Sequence, residues 1–343
     1  MPETKLYVDF HIIQTVPPSC VNRDDTGSPK NAVYGGVRRA RVSSQAWKKA
    51  TRDLFIERGE RTKHIVEIVA EKLGGGAEAA ALAEKIIKEA AISISEDKKT
   101  KKPVTGALFF ISDRQAEALA QLALSGNFDK KAAQAALNNE PSIDIALFGR
   151  MVADDPKLNI DASCQVAHAI STHRVDTEFD YFTAIDDRSP DDNAGAGMIG
   201  TVEFNSSTLY RYATIAAHDL AEQIGDTAAA AAAVRTFAGA FVRSMPTGKQ
   251  NTFANRTPPD HVLIMLRHDQ PVNLVGAFEK PIRSDDGFVE KSIERLNAYS
   301  QKVYENYCDA PDIQWELAEG LHFLQLLEQL ESEVAQRLER EKI

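Results

Sequence analysis

The sequence predicts an α+β fold, and three features of the chain lead to it. Period-two alternation of apolar and polar residues occurs before residue 60 and returns after residue 140. The stretch between is alanine-rich and helical in period. No repeat of solenoid length runs through the chain, so a strand-bearing part interrupted by a helical block replaces regular strand–helix alternation.

The elements run in order along the chain. Residues 5–14, KLYVDFHIIQ, read as a strand with Leu6, Val8, Phe10 and Ile12 on one face. The prolines, Asn, Asp and Gly of TVPPSCVNRDDTGSPKNAVYGG make a long irregular connection. VRRARVS alternates again, with Arg39 and Arg41 on one face of a second strand and Arg38, Ala40 and Val42 on the other. Ser43 or Ser44 caps a helix running to about Gly59, whose inner stripe is Trp47, Ala50, Leu54 and Arg58. HIVEIVAEKL, EAAALAEKIIKEAA, SDRQAEALAQLALS and FDKKAAQAALNN are helical, broken by GGG and by a linker, SEDKKTKKPVTG. Residues 60–140 are thus expected to form a helical insertion. Strands return in PSIDIALFGRMV, YFTAIDD, TVEFNSS and LYRYATIAA, a helix covers Thr227 to Arg243, and HVLIMLRH is an apolar strand. Two helices close the chain.

With 343 residues, 43% hydrophobic and 26% charged, the chain has the composition of a soluble globular protein, and room for two domains or for one with a large insertion. MPETKLYVDF has no basic segment ahead of an apolar one, so no secretory signal is expected. The run AAAAAAVRTFAGAFV contains Arg235 and ends at Arg243, too short and polar for a bilayer, and no membrane partner is expected. Cys20, Cys164 and Cys308 lack CxxC spacing, which points to a reducing cytoplasm and away from structural zinc.

Charge is unevenly spread. Between Cys20 and Arg52 lie eight bases (Arg23, Lys30, Arg38, Arg39, Arg41, Lys48, Lys49 and Arg52) against Asp24 and Asp25, inside a chain of net charge −10. Such a patch on an otherwise repelling surface suits an anionic ligand, although an ordinary solvated basic face has the same composition. Strand and helix start would form a positive corner, reinforced by the partial charge of a helix N-terminus. Arginine offers a planar fork to phosphate and lysine a point charge. Ser43, Ser44 and Gln45 can donate hydrogen bonds to phosphates or 2′-hydroxyls, and Gly35 and Gly36 permit close backbone approach. Met151 and Phe182 are apolar residues in polar settings, able to wedge between bases or to serve as plain core.

Other motifs fail on context. Gly195, Gly197 and Gly200 in GAGMIG match a dinucleotide fingerprint, but Asp191 and Asp192 precede them and a strand comes after, so a hairpin tip is the better reading. His168 and His173, five apart with Asp176 nearby, suit metal ligation on neither a helix nor a strand. Acidic doublets read as turn formers. No nucleophile elbow, P-loop or HExxH occurs, so no catalytic residue, metal or cofactor is expected.

Beyond these residue-level readings, PSCVNRDDTGSPKNAVYGGVRRARVSSQAWKKA resembles the opening of the CasC (Cas-seven) family, the backbone subunits of type I-E CRISPR Cascade complexes. DIALFGRM, QVAHAISTHRVDTEFDYFTAIDD, GTVEFNSSTLYRYA and VGAFEKPI resemble the same family in the same order, from about Leu6 to Asp286. The resemblance implies a hand-shaped protein. A palm with a modified RNA-recognition (ferredoxin-like) fold would take residues 1–59 and 141–343, and helical fingers residues 60–140. A β-hairpin thumb would span about 181–206, its tip at Asp187–Gly200. It implies no chemistry. Copies would polymerise along CRISPR RNA, present its bases to target DNA, and meet the large, small, head and tail subunits of the complex. Arg23, Lys30, Ser43, Gln45, Lys48 and Lys49 would hold the guide backbone, Met151 would press on it, and Phe182 and Thr183 would begin the thumb and kink the strand. The tip here is acidic and glycine-rich, with Asp191 and Asp192, and negative charge does not lie directly on phosphates, so the tip is expected to pack against a neighbouring copy while the hairpin stem touches RNA. A Mg²⁺-dependent RNA endonuclease and a monomeric single-strand-binding protein are the alternatives.

Overall fold

A computed structural model describes residues 5–184, 198–317 and 320–340. The expected hairpin tip, with Asp191, Asp192, Gly195 and Gly197, lies outside the described residues. The contacts divide the chain into two compact units. The first holds Met1–Leu54, Val166–Thr214 and Ala238–Gln329, the second Phe55–Gln165, Ile215–Phe237 and Leu330–Ile343. The second unit therefore reaches beyond the 60–140 boundary read from the sequence.

The first unit is organised on a sheet, and the fold is mixed α+β with mostly antiparallel pairing. Nine strands join among the described residues: β1 (Tyr7–Ser19), β2 (Asn31–Tyr34), β3 (Val37–Val42), β4 (Cys164–Val166), β5 (Ala169–Ser171), β6 (Glu178–Ala184), β7 (Met198–Ala216), β8 (His261–Arg267) and β9 (Ile313–Glu316). Their order is β9–β8–β1–β7–β5–β3–β2, with β4 and β6 also pairing β7. β1 pairs β8 from Tyr7 opposite Arg267 to Ile13 opposite His261. Pro17 and Pro18 lie past the last of those pairs, which is how the strand runs five residues beyond Gln14, the end expected. Asp9 and His11 are as buried as Val8, Phe10 and Ile12, so β1 is covered on both faces. Asp9 accepts hydrogen bonds from the Tyr212 hydroxyl (2.9 Å) and the Val272 amide (2.8 Å). Burial nevertheless pushes its carboxyl up to about 6.

Several expectations need correction. TVEFNSS and LYRYATIAA are one strand, β7, with no turn residue between them to break it. The helix expected to reach Gly59 is α1 (Ser44–Arg52), because the chain leaves the first unit at Leu54. IDIALF is a short helix (Ile143–Phe148) instead of a strand, with Ile145, Ala146 and Leu147 buried. A brief apolar run does not distinguish the two states. SEDKKTKKPVTG is not a linker: Ile94–Glu96 pairs with Pro103–Thr105 in a hairpin. In the second unit the helices Ile65–Lys72, Gly76–Glu89, Asp113–Leu124 and Lys130–Asn138 form as their periodicity predicts, and they pack around Val69, Ile86, Leu119 and Leu137.

Candidate nucleic-acid interface

The basic corner stands on three pieces of the first unit: the Val21–Lys30 loop, β3 and the start of α1. Ser43 takes an extended conformation and its hydroxyl oxygen accepts the Ala46 amide at 3.3 Å, so it is the N-cap. The Asn22 side chain accepts the Ser43 amide at 2.9 Å and fastens the loop to that cap. The Lys30 amide donates to the Asn22 carbonyl (2.8 Å) and the Arg41 amide to the Lys30 carbonyl (2.9 Å), which ties the loop to β3. Within the loop, Asp24 accepts from the Thr26 hydroxyl (2.6 Å), the Thr26 amide (2.9 Å) and the Ser28 amide (3.1 Å). The Thr26 hydroxyl, then the amides, hold its carboxyl below the ordinary range. The loop's first acid is thus engaged by its own turn, while Arg23 beside it is exposed.

Exposure sorts the expected residues. Arg23, Arg38, Gln45 and Lys49 are exposed, and Lys30, Arg41, Ser44 and Lys48 are half-buried. Arg39 is a correction: it is wholly buried and donates to the carbonyls of Tyr34 (3.2 Å), Ser171 (2.8 Å), Phe278 (2.8 Å) and Glu279 (3.3 Å). A guanidinium enclosed this way holds segments around the sheet together and presents nothing to a ligand. Ser43 is largely buried as the cap, its hydroxyl oxygen taken by the Ala46 amide, and offers little surface. Gly35 serves the same interior: with φ +60°, it lies where a Cβ would stand 1.6 Å from the Glu279 carbonyl oxygen. Its close approach is to protein backbone. Lys49 shares its charge with Asp53 at 2.5 Å, so a phosphate there competes with a carboxylate. A groove of about 570 Å³ runs between the loop and α1, with Asn22, Arg23 and Lys49 among its lining residues.

Phe182 and Thr183 lie on the β6–β7 hairpin, also in the first unit. Phe182 pairs with Gly200, and a Cβ on that glycine would sit 2.4 Å from the ring, so Gly200 is the seat of an aromatic side chain. Strand alternation puts Phe179 and Tyr181 on the opposite face, both strongly exposed. Met151 belongs to the second unit and is 87% exposed. It lines a pocket of about 530 Å³ with Leu108, Asn159 and Ile160, beside an Arg61 guanidinium 4.7 Å over the Phe110 ring. Next to it in the chain, Arg150 is buried, and burial pushes its guanidinium down to about 10.

His168 is a member of the corner that its spacing to His173 gave no reason to expect. Arg41 Nη1 lies 3.2 Å from His168 Nδ1, and the surrounding protein, then Arg41 and Lys30, hold the ring below the ordinary histidine range. His173 is interior: its Nδ1 donates to the Arg174 carbonyl (2.7 Å), its Nε2 accepts the Thr208 amide (3.1 Å), and its ring stacks on Phe288 at 3.7 Å. Asn22 was also unmarked, because its contact reaches across 21 residues. Among the described residues no group of three or more His, Cys, Asp or Glu is placed to hold a metal ion, and no helix is long and apolar enough to cross a membrane.

The profile of the CT1975-like protein family matches residues 8–340. A solved chain of a "CRISPR RNA-guided surveillance complex, pre-nicking" is 32% identical, with a TM-score of 0.80 over 96% of this chain and 99% of that one. A chain of a second "CRISPR RNA-guided surveillance complex" is 29% identical, with a TM-score of 0.64 over the same shares. No curated protein matches the sequence.

Proposed function

This chain belongs to the CT1975-like protein family, and from that premise we propose that it is a guide-RNA-binding component of a CRISPR surveillance complex. In this reading it is the backbone subunit of a type I-E Cascade: a cytoplasmic, non-catalytic protein whose copies line up along the spacer of the guide and meet the other Cascade subunits. The first unit acts as an RNA-recognition-like palm, the second as fingers, and the β6–β7 hairpin as the stem of a thumb. The observation that carries the reading is the corner itself. Arg23, Arg38 and Lys49 are exposed on a scaffold fixed by Asn22 and the Ser43 cap, in a chain whose net charge is −10. The resemblance to surveillance-complex chains over nearly the full length supports the same assignment.

The physics is phosphate neutralisation. Each contact on a single strand lowers affinity with salt by a log–log slope of about 0.7. The contacts are to backbone, so the bases stay free to read target DNA by pairing. Repetition along one RNA adds weak contacts into tight retention, and the acidic remainder of the surface discourages adhesion to other nucleic acid.

Co-expression with a CRISPR transcript, together with sizing and sequencing of the bound RNA, tests the proposal. Guide-length RNA and a particle of several copies are expected. Lys48→Ala with Lys49→Ala should weaken retention of all spacer sequences alike. A lone particle that ignores the transcript in dilute buffer would refute the assignment, and cleavage of RNA on adding Mg²⁺ would replace it with a nuclease.

A further inference from the structure

The groove beside α1 has a wall that the basic run does not supply. Besides the Val21–Gly27 loop and the α1 face with Lys49, it is lined by Pro246, Thr247 and Gly248, about two hundred residues further along the chain. This segment is held hard against the loop. A Cβ on Gly248 would stand 2.1 Å from the Val21 carbonyl oxygen and 2.7 Å from that of Cys20, and backbone atoms cannot move aside cheaply.

Immediately after Gly248 the chain makes a strained turn. Lys249 (φ 50°, ψ 23°) and Ala254 (φ 46°, ψ 41°) are both left-handed and bracket the single helical turn Gln250–Phe253. Each such residue costs on the order of 1 kcal/mol, a strain that persists where surrounding structure enforces it and that gathers at binding sites. At the far end of the turn, the Phe253 ring lies 5.9 Å from that of Phe204, which pairs with Glu178 at the foot of the β6–β7 hairpin. The turn therefore links the groove to the hairpin that carries Phe182. Thr247 is exposed, and among the described residues Lys249 has no carboxylate partner, whereas Lys49 has Asp53.

We propose that the Thr247–Gln250 turn is a phosphate-binding wall, and that Lys249 holds a backbone phosphate of the same RNA strand that Arg23 and Lys49 engage. The inference rests on the guide-binding reading and adds a contact from a different part of the chain. A strand leaving the groove toward the hairpin passes over this turn, and the Thr247 hydroxyl can donate to the same phosphate. Lys249 directly follows Gly248, which lines the groove, and Gly248 sets how closely the turn sits against the Val21 backbone.

The test is a salt titration of CRISPR guide RNA binding by the full chain and by Lys249→Ala, Lys249→Arg, Gly248→Ala and Lys49→Ala variants, each checked for native circular dichroism. Lys249→Ala is expected to bind about fivefold more weakly at moderate salt, with a log–log slope shallower by about 0.7. Lys249→Arg should keep most of the affinity. Gly248→Ala should repeat the loss although it removes no charge. If Lys49→Ala weakens binding while Lys249→Ala keeps the wild-type affinity and slope, the wall is overturned and the guide-binding reading stands. If wild-type protein ignores the RNA, both fall together.

Discussion

The corner on the first unit and the pocket around Met151 on the second are built alike below the surface and differ above it. Each rests on one enclosed arginine. Arg39 reaches four backbone carbonyls, and Arg150 reaches the carbonyls of Leu158, Phe110 and Leu137 and the side chains of Gln115 and Asn138. Neither makes an ion pair with an acid among those partners, so each serves as a multivalent donor that gathers loop carbonyls. The outer residues then diverge. Beside Arg39 stand exposed or half-exposed Arg38 and Arg41; beside Arg150 stands exposed, uncharged Met151. One surface suits phosphate and the other suits contact with a base or an apolar partner, which teaches that adjacent residues of a basic or mixed motif divide between scaffold and ligand.

The sharpest way to break that comparison is to remove the two interior arginines. Arg39→Ala and Arg150→Ala each strand several carbonyls and leave a cavity, and each should lower stability by about 3–5 kcal/mol in denaturant unfolding. Should Arg39→Ala melt like the wild type and lose only RNA affinity, Arg39 would be a ligand contact after all. The surface bases predict the reverse pattern. Arg23→Ala combined with Lys49→Ala should change stability by no more than about 0.5 kcal/mol while weakening guide binding about tenfold and flattening the salt slope by about 1.4. An unchanged slope would mean that these groups do not meet phosphate.

Much of the second unit was legible because its signals are local. Alanines at helical spacing, the signal that predicts these helices, fill the buried stripes, and the structure adds the Ser112–Gln115 capping box and the Asp129 cap at two helix starts. Short ambiguous runs hid the Ile143–Phe148 helix and the Ile94–Thr105 hairpin, and partners distant in the chain hid the geometry of the site. Nothing in VRRARV tells that Arg39 faces the carbonyls of Phe278 and Glu279 while its neighbour Arg38 faces solvent. Gly35 read as room for a ligand, whereas the room is taken by Glu279. The wall at Pro246–Gly248 and the placing of His168 beside Arg41 depend on the same long-range folding. The site was therefore legible as a charge cluster and illegible as a geometry.

Met151→Ala sharpens the comparison from the other unit. At 87% exposure its removal should leave stability within about 0.5 kcal/mol, while guide retention falls a few-fold with no change in salt slope. A change in slope would show that the variant disturbs a charged contact.

The smallest expected effect belongs to His168, the titrating ring of the corner. In the free protein its pKa is held below the ordinary value by the surrounding protein, by Arg41 and by Lys30. A phosphate placed against Arg41 offsets those cations and raises the proton affinity of the ring, so the bound state carries more protons than the free state. Affinity for guide RNA should then rise as pH falls from about 7 toward 5.5, by roughly twofold, and His168→Gln should flatten that rise without altering binding at pH 8. If the pH profile of the variant overlays that of the wild type, phosphate does not reach the Arg41 side of the corner, and the strand is confined to the groove between Arg23 and Lys49.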